Sequence, residues 1–335
     1  MEERSISVYS TCPPSNSAGE DGYRAKAIEV ARWSEEHGCR GILVYTDNGL
    51  LDPWSVAQVI LANTERIRPL VAVQPIYMHP YTAAKNIVSL ACLYGRAIDL
   101  NMLAGGFRND LLALGDATPH DDRYVRTTEY TAILDALLAG ERPVTFAGRY
   151  YSVDKLRLTP ALPPELRPRI LISGSSPAGM RAARELRAVA VQYPQPAETY
   201  AKAPPDHDVA TGFRVGIIAR DDADEAWRIA HQRFPVDRKG QLTHQLAMKT
   251  SDSQWHRQLS ALGAPGARSP YWMVPFENYR TFCPYLVGDH DTVAEHLAGY
   301  LRAGFSTLIV DVPREPDDLA HGNIALARAR ELVAR

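Results

Sequence analysis

The sequence predicts an α/β fold in which eight strands, each paired with a helix, close into a (β/α)8 TIM barrel. Short continuous apolar runs, typical of strands buried on both faces, alternate with segments whose apolar residues recur at helical spacing. The connections between these elements are short, which favours a parallel sheet with helical crossovers. A doubly wound open sheet is the alternative. It usually has fewer strands and a glycine-rich fingerprint after its first strand, and the loop after Tyr9 has no such fingerprint.

Each predicted strand is rich in Val, Ile, Leu or Ala. In chain order the eight strands cover residues 5–9, 41–45, 70–74, 97–102, 169–172, 188–192, 213–219 and 307–311. Two further segments, 144–146 and 150–153, flank an Ala-Gly-Arg turn and predict a small hairpin outside the barrel.

The predicted helices lie between the strands and have recognisable start and stop signals. Pro53 and Pro177 each stand at the favoured first position of a helix, and Gly38 and Gly95 each end one. The helices cover residues 23–37, 53–65, 82–94 and 124–139, followed by segments that begin at 177 and 224 and by the C-terminal residues after the eighth strand.

Residues 234–289 are less regular, with prolines and aromatic residues interleaved. This segment is too long for a plain crossover, so we expect an insertion after strand seven that forms a lid over the open end of the barrel. A structural excursion that builds an oligomer contact is the alternative. The whole chain, residues 1–335, is otherwise expected to form one barrel domain.

The composition argues against several classes of partner. A net charge of −2, with 37 basic and 39 acidic residues, provides no basic field for nucleic acid or anionic lipid. The N-terminus has no apolar leader, and no apolar run reaches the length of about 18 residues that a membrane helix needs. Four scattered cysteines and ten histidines lack metal-ligand spacing. We therefore expect a cytoplasmic protein without a metal site.

The stretch 168–184 combines a strand, a small-residue turn and a helix start. Gly174, Ser175 and Ser176 form the turn, and Pro177 opens the helix with Ser176 in the capping position. Backbone N–H groups, hydroxyls and a helix N-terminus then meet at one point, which suits a phosphate group. An ordinary strand–turn–helix crossover with a capped start is the alternative.

Other polar residues follow the strands at the end of the barrel where active sites gather. A cavity with a phosphate corner, amides, hydroxyls and an aromatic lid suits an organic phosphate cofactor. His120 and Tyr124 are four apart, which places both side chains on one face of a first helical turn. The alternative for this acidic cluster is a negatively charged helix N-terminus that binds no ligand. The candidates from the strand ends are Asp47, Gln74, Asn101 and Arg214.

Four motifs in sequence resemble the bacterial luciferase-like flavin monooxygenases, with the alkanesulfonate monooxygenases as the nearest branch. They are GRAIDLNMLAGG at Gly95–Gly106, HDDRY at His120–Tyr124, TFAGRYYSV at Thr145–Val153 and ISGSS at Ile172–Ser176. The resemblance implies the same barrel and a two-component enzyme. FMN, reduced to FMNH2 by a separate flavin reductase, would react with O2 to a flavin (hydro)peroxide that attacks a small organic substrate.

The resemblance also implies roles for the candidate residues and an assembly. Gly174, Ser175 and Ser176 would hold the FMN phosphate. Tyr124 and His120 would face the phosphate or the ribityl chain of FMN. The family also implies that the chain assembles as a homodimer or homotetramer. Asp47, Gln74 and Asn101 would line the isoalloxazine ring.

The sequence departs from the alkanesulfonate pattern at several positions. Arg214 is kept on strand seven, but the histidine two residues later is Gly216, and the expected cysteine falls near Leu50. The strand-four threonine is Ala104, and the Tyr-x-His pair after strand eight falls near 312–314. A short alkyl sulfonate is therefore not the expected substrate. Arg214 is the catalytic candidate, with a structural ion pair as the equal alternative. An F420-dependent oxidoreductase and a non-catalytic flavin-binding relative remain alternative functions.

Overall fold

The structure is a computed structural model of the 335-residue chain. Parts of the expected insertion and Ser5 of the first predicted strand lie outside the residues that it describes. The described residues are 6–16, 22–205, 208–250, 259–260 and 268–335.

Twelve strands are formed within the described residues. They are β1 (Ser7–Thr11), β2 (Gly41–Val44), β3 (Arg68–Val73), β4 (Asp99–Leu103), β5 (Val144–Ala147), β6 (Ser152–Leu156), β7 (Ile170–Ser173), β8 (Val189–Gln192), β9 (Thr211–Arg220), β10 (Tyr271–Trp272), β11 (Tyr285–Asp289) and β12 (Thr307–Val310).

Eight of these strands pair in parallel in the order β1-β2-β3-β4-β7-β8-β9-β12, and β12 pairs back onto β1. The sheet is therefore a closed barrel, and the predicted fold class is confirmed. All eight predicted barrel strands are present, and no strand end is shifted by more than two residues. The predicted hairpin is also present as the antiparallel pair β5–β6.

The helices surround the barrel. They are α1 (Tyr23–Glu36), α2 (Pro53–Asn63), α3 (Pro80–Tyr94), α4 (Arg108–Ala113), α5 (His120–Ala139), α6 (Pro177–Glu185), α7 (Ala197–Lys202), α8 (Ala223–Arg233), α9 (Arg238–Thr250), α10 (Val274–Glu277), α11 (His290–Arg302) and α12 (Pro316–Ala334).

Local sequence explains where several helices begin and end. Asp52 caps α2 by accepting a hydrogen bond from the Ser55 backbone N–H, and Pro53 is its first residue. Gly95 ends α3 in the left-handed conformation, at φ 63°, with its N–H bonded to the Ala91 carbonyl. These signals place the helix ends within a residue or two of the boundaries that the sequence predicts.

The interior of the barrel is filled by side chains from six of its strands. These buried residues are Tyr9, Leu43, Leu70, Leu171, Val189, Val191 and Ile309. Because they come from strands all round the barrel, their contacts make the interior a packed core and not a pore.

The amino ends of the strands are tied together through one buried carboxylate. Asp99, at the start of β4, accepts hydrogen bonds from the Tyr9 hydroxyl at 2.7 Å and from Arg40 Nε at 3.2 Å. It also accepts the backbone N–H of Arg169 at 3.0 Å. This network lies at the opposite end from the polar strand ends, where barrel residues serve stability.

The segment 234–289 is more regular than expected. It contains α9, β10, α10 and β11, and β11 pairs in parallel with the second half of β9, from Tyr285 opposite Gly216 to Asp289 opposite Arg220. Its last five residues therefore extend the main sheet, which corrects the expectation of irregular chain there. The apolar run of β11 is short and directly follows Pro284, so the sequence pattern did not distinguish this strand from the surrounding aromatic residues and prolines.

Candidate active site

A cleft opens at the carboxyl ends of the barrel strands, where the sequence places the candidate residues. It encloses about 1170 Å³, counting the space open to solvent at its mouth. All nine candidates line this cleft, which we call the barrel cavity: Asp47, Gln74, Asn101, His120, Tyr124, Gly174, Ser175, Ser176 and Arg214. The structure thus brings the predicted set together, while the role of each residue stays a prediction.

One corner of the barrel cavity, which we call the serine corner, consists of residues 173–176 and Tyr124. Ser176 is the N-cap of α6, and its hydroxyl accepts a hydrogen bond from the Gly179 backbone N–H at 3.1 Å. The capping prediction is therefore confirmed, and part of the capacity of this hydroxyl is already used. By contrast, Ser175 Oγ is buried and has no hydrogen-bond partner within the described residues.

Tyr124 packs closely against the glycines of the serine corner. A Cβ atom at Gly174 would overlap the Tyr124 hydroxyl and lie 3.1 Å from its Cζ, and one at Gly179 would lie 3.2 Å from the same ring. Gly174 also has a φ of 154°, a backbone conformation that residues with a side chain rarely adopt. Burial raises the pKa of Tyr124, so its hydroxyl remains a neutral donor.

His120 lies one helical turn before Tyr124 on α5, as the sequence predicts. Their rings meet edge to face, with centroids 5.3 Å apart. The Nδ1 atom of His120 lies 2.7 Å from a carboxylate oxygen of Asp121, which fixes the orientation of the ring. His120 also lines the cavity.

Three further candidates lie on or directly after β2, β3 and β4. Asn101 Oδ1 accepts a hydrogen bond from the Ser173 hydroxyl at 2.9 Å, which joins this wall to the serine corner. Gln74 Nε2 lies 3.4 Å from the hydroxyl of Tyr77, a long contact. Asp47 accepts the backbone N–H of Gly49 at 2.7 Å, so its carboxylate also shapes the loop after β2.

Arg214 forms a buried ion pair at the cavity wall. Its Nη2 atom donates to Asp311 Oδ1 at 2.8 Å, and the two side chains are 8 % and 7 % exposed. Its guanidinium carbon also lies 5.5 Å from the centre of the Tyr45 ring. The structural ion pair that the sequence offered as the alternative is therefore present, and Arg214 also lines the cavity, while its catalytic role stays a prediction.

The other oxygen of Asp311 is held by two hydroxyls. Thr281 Oγ1 donates to Asp311 Oδ2 at 2.6 Å and Tyr285 donates at 2.9 Å. Burial alone would raise the pKa of Asp311, but Arg214 and these hydrogen bonds outweigh it, and the pKa lies below its ordinary value. Burial likewise opposes the charge of Arg214, but its neighbours raise its pKa well above the usual value, so both members of the pair are charged.

Several lining residues were not selected from the sequence. Arg123 lies inside the HDDRY motif, so its neighbours in sequence pointed to it. Phe107 follows the two glycines after β4, and Phe282 comes from the segment 234–289. The rings of Phe107 and Phe282 are 5.8 Å apart, so this segment does contribute a wall of the cavity. Whether it moves as a lid stays a prediction.

Two further features of the described residues concern metal binding and membrane crossing. Within the described ranges, no group of three or more His, Cys, Asp or Glu side chains is arranged to hold a metal ion. Among the helices formed by the same residues, none has the length and apolar character that a membrane crossing requires.

Comparison with known proteins establishes the class. The family model described as luciferase-like monooxygenase matches residues 6–307, and the chain belongs to this family. It is 36% identical over 325 residues to 4-(gamma-L-glutamylamino)butanoyl-[BtrI acyl-carrier protein] monooxygenase BtrO of Niallia circulans, covering 94% of this chain and 95% of that protein. Together with the family match, this likeness identifies the chain as a flavin-dependent monooxygenase.

Solved structures agree on the fold. The long-chain alkane monooxygenase LadA superposes with a TM-score of 0.73 at 16% identity, over 99% of this chain and 92% of that one. The EDTA monooxygenase EmoA from Chelativorans sp. BNC1 gives 0.72 at 16% identity, over 98% and 95%. Identities this low support the barrel fold alone. The predicted family is confirmed, whereas the finer placement beside the alkanesulfonate enzymes stays a prediction.

Proposed function

We propose that this chain is the oxygenase component of a two-component system. In this proposal it binds FMNH2 delivered by a separate flavin reductase and uses O2 to oxygenate an acyl group carried as a thioester on a carrier protein. The observation that carries the flavin part is the serine corner, with a buried and unpartnered hydroxyl at the N-terminus of α6. The likeness to BtrO, whose name specifies an acyl-carrier-protein substrate, supports the acyl part.

The residues of the serine corner fit a phosphate group. An unpartnered buried hydroxyl costs about 1–3 kcal/mol, a cost that a phosphate oxygen accepting from Ser175 Oγ would remove. The partial positive charge at the N-terminus of α6 favours an anion at the same place. Gly174 lacks a side chain, which leaves room for Tyr124 to close the corner from the side.

When bound, reduced FMN would supply the two electrons needed to activate O2, so that one oxygen atom enters the substrate and the other leaves as water. In this proposal the protein's own residues hold the flavin in the barrel cavity and shield the reaction from water. Asp47, Gln74 and Asn101 present carboxylate and amide groups along the wall where the ring system is proposed to lie. Phe107 and Phe282 add neighbouring aromatic rings to the cavity wall, which would help to exclude water from the reaction.

Arg214 is the proposed catalytic residue. Its guanidinium is fixed by Asp311 and by the Tyr45 ring, so it presents N–H donors to the cavity without reorganising during the reaction. A fixed donor of this kind stabilises negative charge that develops on oxygen as the reaction proceeds.

The test is to mix the purified protein anaerobically with reduced FMN and then admit labelled O2 together with candidate thioesters. We expect substrate-dependent incorporation of one labelled oxygen atom into the acyl product and little release of hydrogen peroxide. Flavin oxidation that releases only hydrogen peroxide with every thioester would contradict the acyl substrate. Micromolar binding of F420 together with O2-independent hydride transfer would contradict the monooxygenase proposal in favour of the deazaflavin alternative.

A further inference from the structure

We propose that the Arg214–Asp311 pair makes the barrel cavity selective for a neutral hydrogen-bond acceptor, the carbonyl oxygen of the substrate, over free carboxylates and sulfonates. This inference rests on the proposed function because it assigns the substrate class of the same site. Asp311 acts here as a specificity-determining residue through Arg214.

The first observation is that the positive charge of Arg214 is already balanced. Asp311 lies 2.8 Å from the guanidinium, and both side chains are more than nine-tenths buried. In such a site a second anion would have to lose its own hydration and would meet a carboxylate next to the arginine. A neutral carbonyl group has no such cost.

The second observation is that the carboxylate of Asp311 is locked in place. Both of its oxygens have partners, since Arg214 holds one and Thr281 and Tyr285 hold the other. The ring of Tyr285 is itself fixed because it packs directly against the backbone of Gly216, where any side chain would overlap it. Asp311 is therefore not free to swing away when an anionic ligand approaches Arg214.

The third observation is an unused donor. The Nε atom of Arg214 is buried without a hydrogen-bond partner in the described part of the chain, although the residue lines the cavity. Buried N–H groups are nearly always paired, so an acceptor from a bound molecule is expected to satisfy it. One neutral oxygen is sufficient, because the charge of the guanidinium is already neutralised.

The remaining charge in the cavity points the same way. Asp47 is a second carboxylate on the wall, and within the described residues no ion pair involves it. The other cavity arginine, Arg123, precedes Tyr124 on α5 and donates to the Thr118 carbonyl at 3.2 Å. Around Arg214 the wall therefore presents a guanidinium whose charge is balanced by Asp311 from outside the cavity lining, and Asp47 adds a carboxylate, which disfavours anionic substrates there.

The inference separates an acyl group in its thioester form from the same group as a free acid. A thioester or amide presents the neutral carbonyl oxygen that Arg214 Nε lacks, whereas hydrolysis to the acid creates the charge that Asp311 repels. The enzyme would therefore act on a carrier-bound acyl group and reject the free acid even where the two chains are identical in shape.

The test uses three small probes of similar size, butanamide, butanoate and butanesulfonate, titrated into FMN-saturated protein and followed by ligand-observed NMR. For the wild-type protein we expect butanamide to bind at least about tenfold more tightly than either anion, since like-charge contacts reject the wrong partner. Asp311→Asn, which keeps the shape and removes the charge, is expected to bind the two anions about tenfold or more tightly than the wild type and butanamide about equally.

Thr281→Val is the matched control, because it removes one hydrogen bond to Asp311 and leaves both charges in place. It is expected to keep the wild-type preference. Equal binding of amide and anions by the wild type, or no detectable butanamide binding, would overturn the proposal even if Asp311→Asn failed to fold. An unchanged anion affinity in a folded Asp311→Asn protein would overturn it as well. These titrations need no turnover, so failure of the proposed monooxygenase reaction would be seen separately in the labelled-oxygen experiment.

Discussion

Replacing Gly174 with alanine is the perturbation that most directly tests the geometry of the serine corner. The added Cβ would overlap the Tyr124 hydroxyl and lie 3.1 Å from its Cζ. Overpacking of this kind costs about 1–3 kcal/mol. A side chain held at a φ of 154° adds backbone strain of about 1–3 kcal/mol. The expected loss in the free energy of unfolding is therefore about 2–6 kcal/mol.

The same substitution should weaken FMN binding. Because the nearest neighbour of the new Cβ is the Tyr124 hydroxyl, Tyr124 and the turn must separate, and the surroundings of Ser175 change with them. We expect the Kd for FMN to rise about tenfold or more, as for the loss of one or two hydrogen bonds. Chemical denaturation and quenching of FMN fluorescence measure the two quantities.

Two companion variants make this prediction specific. Tyr124→Phe removes the oxygen that the new Cβ meets, so adding it to Gly174→Ala should recover about 1–2 kcal/mol relative to the sum of the single changes. Gly115 has a φ of 76°, and a Cβ atom added there would meet no atom within 4 Å. Gly115→Ala should therefore show only the cost of backbone strain and leave the affinity for FMN unchanged. If Gly174→Ala left both stability and FMN affinity at wild-type values, or if Tyr124→Phe gave no relief, the reasoning would be refuted.

Three further predictions concern single side chains. Ser175→Ala should weaken FMN binding by about 1–3 kcal/mol and leave the free energy of unfolding nearly unchanged. Ser176→Ala, which removes the helix cap, should lower the free energy of unfolding by about 1 kcal/mol. FMN titrations and denaturation curves measure the two effects, and a loss of FMN affinity in Ser176→Ala with none in Ser175→Ala would contradict this assignment. Asp311→Ala leaves a buried arginine unpaired and should cost about 3–5 kcal/mol in denaturation; a cost below about 1 kcal/mol would contradict the pairing. Burial opposes ionisation of Asp116, but hydrogen bonds, chiefly from Arg126, hold its pKa at about 2, so this pair should stabilise the fold above about pH 4 and lose that effect as the pH falls towards 2. The melting temperature of Asp116→Asn, measured against pH, should therefore lack this acid-dependent loss of stability. A pH profile identical to that of the wild type would show that the Asp116–Arg126 pair does not cause the loss.

The sequence predicted the barrel and the cavity lining because both follow from local rules. Strands buried on both faces appear as continuous apolar runs, and the carboxyl ends of eight parallel strands must meet at one end of the barrel. Residues as distant in sequence as Asp47 and Arg214 could therefore be assigned to one site. The roles of these residues remain predictions, since position in a cavity does not by itself define chemistry.

The Arg214 network was not predictable in the same way. Its partners come from three separate segments, and the two that hold Asp311 lie in the part of the chain with the weakest periodicity. Gly216 looked only like the loss of an expected histidine, whereas the structure uses its missing side chain to seat the Tyr285 ring. Such contacts depend on the register of β11 against β9, which no local pattern determines.

The serine pair shows a second limit of local reasoning. Ser175 and Ser176 are adjacent and chemically identical, so the sequence assigned both to the phosphate. The structure separates them, because Ser176 caps α6 whereas Ser175 Oγ has no hydrogen-bond partner among the residues that the structure describes. Which of two neighbouring hydroxyls is available depends on the backbone torsions of the turn, and a sequence pattern does not specify these.

A crystal structure of the protein with bound FMN tests the central claim most directly. We expect the phosphate to lie in the serine corner and to accept a hydrogen bond from Ser175 Oγ, with the ring system along the wall formed by Asp47, Gln74 and Asn101. An FMN phosphate bound outside the barrel cavity, with Ser175 Oγ still unpartnered, would contradict the account.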